Sequence, residues 1–380
     1  MPNNMVHFRN DMSHEEIKKF IKFYNDRLEL PGSMMLKGGP KDYIGAAMSL
    51  SATLFFRWGW TKNNRIAMRQ CLEDYLAIAG DKIKWVYSDE SPNEPPHQAY
   101  HKTKNLRQLY ELWDEDTPVI RQYKGGDRFR DASPYSFFIG THSKWETERD
   151  ERYDADSMDV LSFSLPVSTL TESPTLFQQL VISFAQKINA SHGFGGFKLE
   201  LSPDTDNEDP SEAWLAQKMN GISVGSDYAA AGSLNPTKLK TISWLTIIGS
   251  DMLSEYSDTW LRSELPPSWF AFYKYGAGLI IQAGNTPEIA QLPDNAHPAT
   301  YVLPNMVFKP NRTEYCTIHY NTQRTPLITG SPAVELWLSR FDVPDEQLIE
   351  YKQKLTQMPV LKKKHVLYDA VDPHFQHLYR

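Results

Sequence analysis

The run His14, Glu15, Glu16, Ile17, Lys18 begins as a zinc-protease helix does, but lysine stands where the second histidine would bind the metal. Other candidate constellations each lack a part in the same way. Asp204, Asp206 and Glu208 fit the first three ligands of a calcium loop, yet Asp209 occupies the glycine position and Leu215 that of the bidentate carboxylate. Gly193, Gly195 and Gly196 in HGFGGFK suggest a phosphate loop, but the apolar run behind them reads as a strand and supplies no helix N-terminus. The segment is expected to be a turn between a helix and a strand. Cys316 and His319 are three apart, as are His374 and His377, with no further ligand at a recognisable spacing. Pro344, Asp345, Glu350 and Lys352 imitate a nuclease string, but all fall on one expected helix, whereas two-metal chemistry needs carboxylates converging from separate elements. There is no GxSxG elbow, no GxxxxGK loop and no CxxC pair. Trp58 or Trp60 beside Arg57 would suit a platform for a base or sugar; aromatics at a strand end usually pack inward, and a core position is expected. The chain therefore reads as no enzyme, with no catalytic residue, cofactor or metal.

The elements that would position these residues follow from periodicity. Ser13 and Glu16 form a capping box before Ile17, Phe20, Ile21 and Tyr24, a helix that Pro31 stops. MSLSATLFF (48–56) reads as a strand; Thr61 caps a helix with Met68, Cys71, Leu72, Tyr75 and Leu76 on its apolar face, and Gly80 ends it. IKWVY (83–87) is a strand, 88–104 a loop, and 105–113 a short helix. The charged stretch from Trp145 to Asp159 reads as a surface connection between halves. Strand VLSFSLP (160–166) follows, then a helix capped at Ser173 bearing Phe177, Leu180, Val181, Phe184 and Ile188, then strand FKLEL (197–201). ISWLTIIG (242–249), a helix through Met252 and Leu253, a hairpin around Gly276 and a last helix from Pro344 complete the order. Strands and helices without regular βαβ alternation favour an α+β fold, with mixed or antiparallel sheets and two similar halves as an option. The division expected is a helical extension at 1–40, an α+β domain at 41–341 (halves 41–150 and 156–341), and a C-terminal helix and tail at 342–380.

Composition narrows the function classes. With 41% hydrophobic and 23% charged residues, 380 residues can bury a full core without staples. Two cysteines, Cys71 and Cys316, build no disulfide framework. The N-terminus shows no apolar signal region, and no apolar run nears the roughly 18 residues of a membrane span, so a cytoplasmic protein is expected. A net charge of −7 argues against a nucleic-acid binder and admits a basic partner. From Glu146 to Asp227 there are 15 acidic residues against 5 basic ones, so this block carries −10 and the remainder +3.

LFFRWGWT leading into CLEDYL, then IKWVY and DASPYSF in the first half, with VLSFSLP, FGGFKLEL, ISWLTIIGSDML and YGAGLIIQAG in the second, are together similar to the type VI secretion immunity protein family. The likeness spans residues 48 to about 284. It implies an antidote encoded beside a type VI effector, several such effectors being nucleases of the restriction-endonuclease-like superfamily, and it implies no catalytic residue. A nuclease grips DNA with a basic cleft, and an inhibitor can meet that cleft with carboxylates. The expected toxin-binding residues are therefore Glu146, Glu148, Asp150, Glu151, Asp154 and Asp156, with Asp204, Asp206, Glu208, Asp209 and Glu212; the partner is the toxin, with no nucleic acid or membrane contacted directly. A carbohydrate- or peptide-binding module is the alternative that 19 tyrosines and 10 tryptophans suggest, and an unrecognised hydrolase or nuclease is a further one.

Overall fold

The computed structural model describes residues 29–31, 43–88, 97–103, 114–149, 157–203, 212, 215–232, 234–314, 316 and 331–379. Its organising element is strand β2 (Ile44–Phe56), thirteen residues of which all but Ile44 are buried. At about 3.3 Å per residue it spans roughly 40 Å. β7 (Asp159–Leu165) pairs antiparallel with one edge of β2, from Leu50↔Leu165 to Phe56↔Asp159. β8 (His192–Leu201) pairs with the other, from Ala46↔Leu201 to Phe55↔His192.

The sheet continues outward on both sides through β3 (Trp85–Ser88), β4 (His97–Ala99), β5 (Val119–Lys124), β6 (Ser136–Thr141), β9 (Leu245–Ile248), β10 (Phe270–Tyr275) and β11 (Gly278–Ala283). Its order is β10-β11-β9-β8-β2-β7-β6-β5-β3-β4, and β1 (Glu29–Pro31) adds an eleventh strand beside β2. Every pairing between these strands is antiparallel. One antiparallel sheet with helices on its faces is the α+β class expected. Strands from 41–150 and from 156–341 hydrogen-bond to one another within it.

Alternation along β2 assigns its two faces. Leu50, Ala52, Leu54 and Phe56 enter the main core, while Ser49, Ser51 and Thr53 turn buried hydroxyls to the other side. Helix α1 (Lys62–Ala79) lies over the main core with Met68, Cys71, Leu72 and Tyr75 fully buried. Thr61 is its cap: the hydroxyl accepts from the Asn64 amide at 3.4 Å. Gly80 ends it in right-handed geometry, φ −61°, not in a left-handed cap. Helix α2 (Lys144–Arg149) follows β6. Helix α3 (Leu176–Lys187) packs beside α1 and buries Phe177, Leu180, Val181 and Phe184 in the main core. It starts after Thr175 and not at Ser173, because residues 169–172 already form a separate turn of helix. Helices α4 (Asp227–Ala231), α5 (Asp258–Glu264), α6 (Ala299–Val307), α7 (Ser331–Leu338) and α8 (Leu348–Gln357) follow, with short helical turns at Thr169–Glu172 and at Ser250–Leu253, the latter being the helix expected through Met252 and Leu253.

The C-terminal stretch, expected as a helix and tail, is drawn into the main core. Tyr351, Leu355, Leu361, Val366, Val371 and Tyr379 are all buried there. The Leu361 amide donates to Ser268, and Gln282 and Gln178 both donate to the His365 carbonyl, at 2.9 and 3.1 Å.

Four local expectations are corrected. Glu29–Pro31 is a strand against Ile44–Ala47, not the end of a helix. The loop expected at 88–104 contains β4 and a 3-10 turn at Tyr100–Lys102. HGFGGFK lies inside β8, where glycine is needed for space: a Cβ on Gly193 would stand 2.4 Å from the Thr53 carbonyl oxygen, and one on Gly196 would stand 2.3 Å from Ser243 Oγ. The connection expected from Trp145 to Asp159 includes most of α2 and ends in the buried residues Ser157, Met158 and Asp159. The helices read near 13–28 and 105–113, and His319, lie outside the described residues.

Candidate functional site

Part of the acidic block is interior. On the sheet face opposite the main core, the Asp227 carboxylate accepts from Lys198 Nζ at 2.7 Å, Lys240 Nζ at 2.8 Å and Thr53 Oγ1 at 2.8 Å. Burial alone would raise the Asp227 carboxyl, but the two ammonium groups outweigh it and hold the group well below the usual range. Glu212, 1% exposed, accepts from the Gly225 amide at 3.0 Å, and burial pushes Glu200 up despite Lys198 nearby. Asp227 and Glu212 hold elements together and are withdrawn from solvent, while Glu200 is half-buried. Among the described residues no group of three or more His, Cys, Asp or Glu side chains could hold a metal.

A second buried carboxylate organises one end of the sheet. Asp159, 1% exposed, opens β7 directly opposite Phe56. One oxygen accepts from the Gly59 amide at 2.6 Å, and the other accepts from the His142 amide at 2.7 Å and faces His142 Nδ1 at 3.1 Å. Asp159 thereby clamps the turn after β2 (57–61) to the segment between β6 and α2 (142–143). A third segment, 114–118, precedes β5 and joins them: Arg65 donates to the Thr117 carbonyl at 2.6 Å, and the Lys144 amide donates to Glu115 at 2.8 Å.

On this framework the charged and aromatic side chains are placed. Ser143 and Glu146 form a capping box at the start of α2, the Ser143 amide donating to the Glu146 carboxylate at 2.7 Å and the Glu146 amide to Ser143 Oγ at 3.2 Å. Glu148, Glu115 and Asp116 are exposed. Trp58 and Trp145 are 49% and 51% exposed, which corrects the core position expected for Trp58. The Arg57 guanidinium lies 4.7 Å from the Trp58 ring centre and pairs with Asp251 at 2.9 Å; Lys144 Nζ lies 5.3 Å from the half-buried Trp60 ring and pairs with Glu115 at 3.1 Å.

Of the expected site residues, Glu146 and Glu148 are thus on this end of the sheet, and the chain leaves it toward Asp150, Glu151, Asp154 and Asp156, which lie outside the described residues. Asp204, Asp206, Glu208 and Asp209 also lie outside them; the strand that leads to them ends at Leu201, paired with Ala46 at the far end of β2. From Ala46 to Phe56 strand β2 covers roughly 30 Å, so the strands that adjoin the two acidic segments meet it at opposite ends. Glu212 differs from expectation outright, because it is buried and engaged with Gly225. The sequence carries a signal for both exposed tryptophans: Phe56 ends the strand and Thr61 caps the helix, leaving Trp58 in a four-residue turn, and Trp145 is the one aromatic in the charged string KWETERDE.

Comparison with protein families matches residues 67–341 to a family described as type VI immunity for VRR-NUC. Among solved structures the chain is similar to the Pseudomonas aeruginosa T6SS protein PA0821, with 34% sequence identity and a TM-score of 0.83, over 90% of this chain and 94% of the other. No curated protein matches. Among the described residues no helix is long and apolar enough to cross a membrane.

Proposed function

The chain belongs to the family of type VI immunity proteins for VRR-NUC, and on that premise we propose that it binds its VRR-NUC nuclease effector directly, covers the DNA-binding surface, and catalyses no reaction. The observation that carries this reading is the division of the acidic residues. Asp159, Asp227 and Glu212 are buried in structural roles, whereas Glu148, Glu115 and Asp116 stand exposed on segments that a buried clamp holds in place.

A nuclease that grips DNA must present lysine and arginine to phosphates, and carboxylates fixed on a rigid surface can occupy the same groups. The contacts proposed are Glu146, Glu148, Asp150, Glu151, Asp154 and Asp156, with Asp204, Asp206, Glu208 and Asp209 as a second patch; Glu212 is withdrawn. A surface of about 800 Å² per partner is roughly 30 Å across, wide enough to span both. The compartment proposed is the cytoplasm, where the DNA to be protected lies.

Titrating the purified chain into a plasmid-cleavage reaction run by the effector tests this. Cleavage is expected to stop near one equivalent, and association is expected to slow at least tenfold between 50 and 500 mM salt, as steered pairs do. Cleavage that continues at tenfold excess of the chain would overturn the proposal.

A further inference from the structure

Carboxylates steer an encounter, but the affinity of a protein interface is concentrated in a few aromatic or arginine anchors. Taking as its basis the reading that the chain binds a nuclease, we infer that Trp58 and Trp145 are the anchors of that interface, receiving arginine-bearing parts of the basic DNA-binding face.

The backbone at Trp58 is the first support. Its φ is +60°, in the left-handed region that a bulky side chain rarely enters. Four hydrogen bonds hold it there: the Thr61 amide to the Trp58 carbonyl at 2.9 Å, Asn64 Nδ2 to the Arg57 and Trp58 carbonyls at 2.8 and 3.0 Å, and the Gly59 amide to Asp159. Glycine follows because a Cβ at position 59 would stand 2.7 Å from the Asp159 carboxylate. A turn fixed this firmly in a strained conformation leaves the Trp58 ring half exposed, so within the isolated chain the strain returns little burial.

The surroundings supply the second support. The cations stacked at this end are already paired, Arg57 over Trp58 with Asp251 and Lys144 over the neighbouring Trp60 with Glu115. Asp116 and Glu148 stand exposed on the same interlocked segments, so this end of the sheet presents carboxylates as well as rings. A surface that offers indole faces and carboxylates together suits a guanidinium, which stacks on a ring while its N–H groups are free to reach an oxygen. A DNA-gripping surface is rich in that group.

Trp58→Ala and Trp145→Ala test the inference, with Ile349→Ala, 69% exposed on α8, as the control. By calorimetric titration with the effector's nuclease domain, each tryptophan variant is expected to weaken binding about 30-fold or more, and the control less than twofold. Wild-type affinity in both folded tryptophan variants overturns the inference. Should Trp58→Ala unfold, Trp145→Ala and amide exchange in the wild-type complex decide it: protection at 57–61 and 143–149 supports the anchors, and its absence removes them. A wild-type chain that dimerises through these rings, with effector affinity indifferent to their loss, also overturns the inference. Failure of the wild-type chain to bind at all would instead strike the underlying reading.

Discussion

His192 shows how burial decides what a residue does. It is fully buried against the Phe55 ring at 4.9 Å, and desolvation pushes its pKa down to about 3 against a weaker opposing pull from the Asn235 backbone. The fold accommodates the neutral ring, so below about pH 6.5 the unfolded chain binds a proton that the folded chain refuses. Stability from this group is complete above that pH and is lost as pH falls toward 3. At pH 5 the loss is about 2 kcal/mol. Urea denaturation at pH 7 and pH 5 is expected to show that wild-type protein loses about 2 kcal/mol more than His192→Leu; equal losses would refute this account. Arg340 is a related case: burial lowers its pKa to about 9, and it stacks 3.9 Å from the Trp337 ring while donating to the Asn220 and Trp337 carbonyls and Thr241 Oγ1. None of this was legible in the sequence, where residue type is visible and environment is not. The same blindness assigned Glu212 to the surface and Trp58 to the core.

Elements were more legible where hydrophobic period and length agree. β2, α1, α3 and the β10–β11 hairpin appear where apolar spacing put them, and Thr61 caps α1 as expected. β4 escaped because three residues carry no period. β8 was half read: its glycines signal turns by default, yet here they let neighbouring chain pass close. Gly193→Ala is therefore expected to cost on the order of 1–3 kcal/mol, since the new methyl meets backbone that cannot move aside. At Gly232, where φ is −65°, an added Cβ would meet no heavy atom within 4 Å. Gly232→Ala should be neutral or stabilise by up to about 1 kcal/mol. Chemical denaturation of the pair measures both, and a Gly193→Ala midpoint equal to wild type would contradict the packing argument.

For the whole molecule, the α+β class was legible, but the seat of the last forty residues was not. Leu361, Val366 and Val371 lie five apart in a lysine-rich stretch, a spacing that signals neither helix nor strand, so their burial could not be read. Burying Tyr351, Leu355, Leu361, Val366, Val371 and Tyr379 contributes roughly 10 kcal/mol, as much as the net stability of a typical domain. Deleting residues 344–380 is expected to abolish the cooperative thermal transition in calorimetry; a sharp transition in the truncated chain would show the tail to be dispensable. The central place of β2 carries a consequence in time. Its register with β8 extends to Leu201, so at roughly 5–20 residues per second a ribosome that has finished Phe56 needs on the order of ten seconds or more before both flanking strands exist. The seam on which the whole sheet is built is therefore open until more than half of the chain has been made, and any chain released before Leu201 lacks one flank of its longest strand.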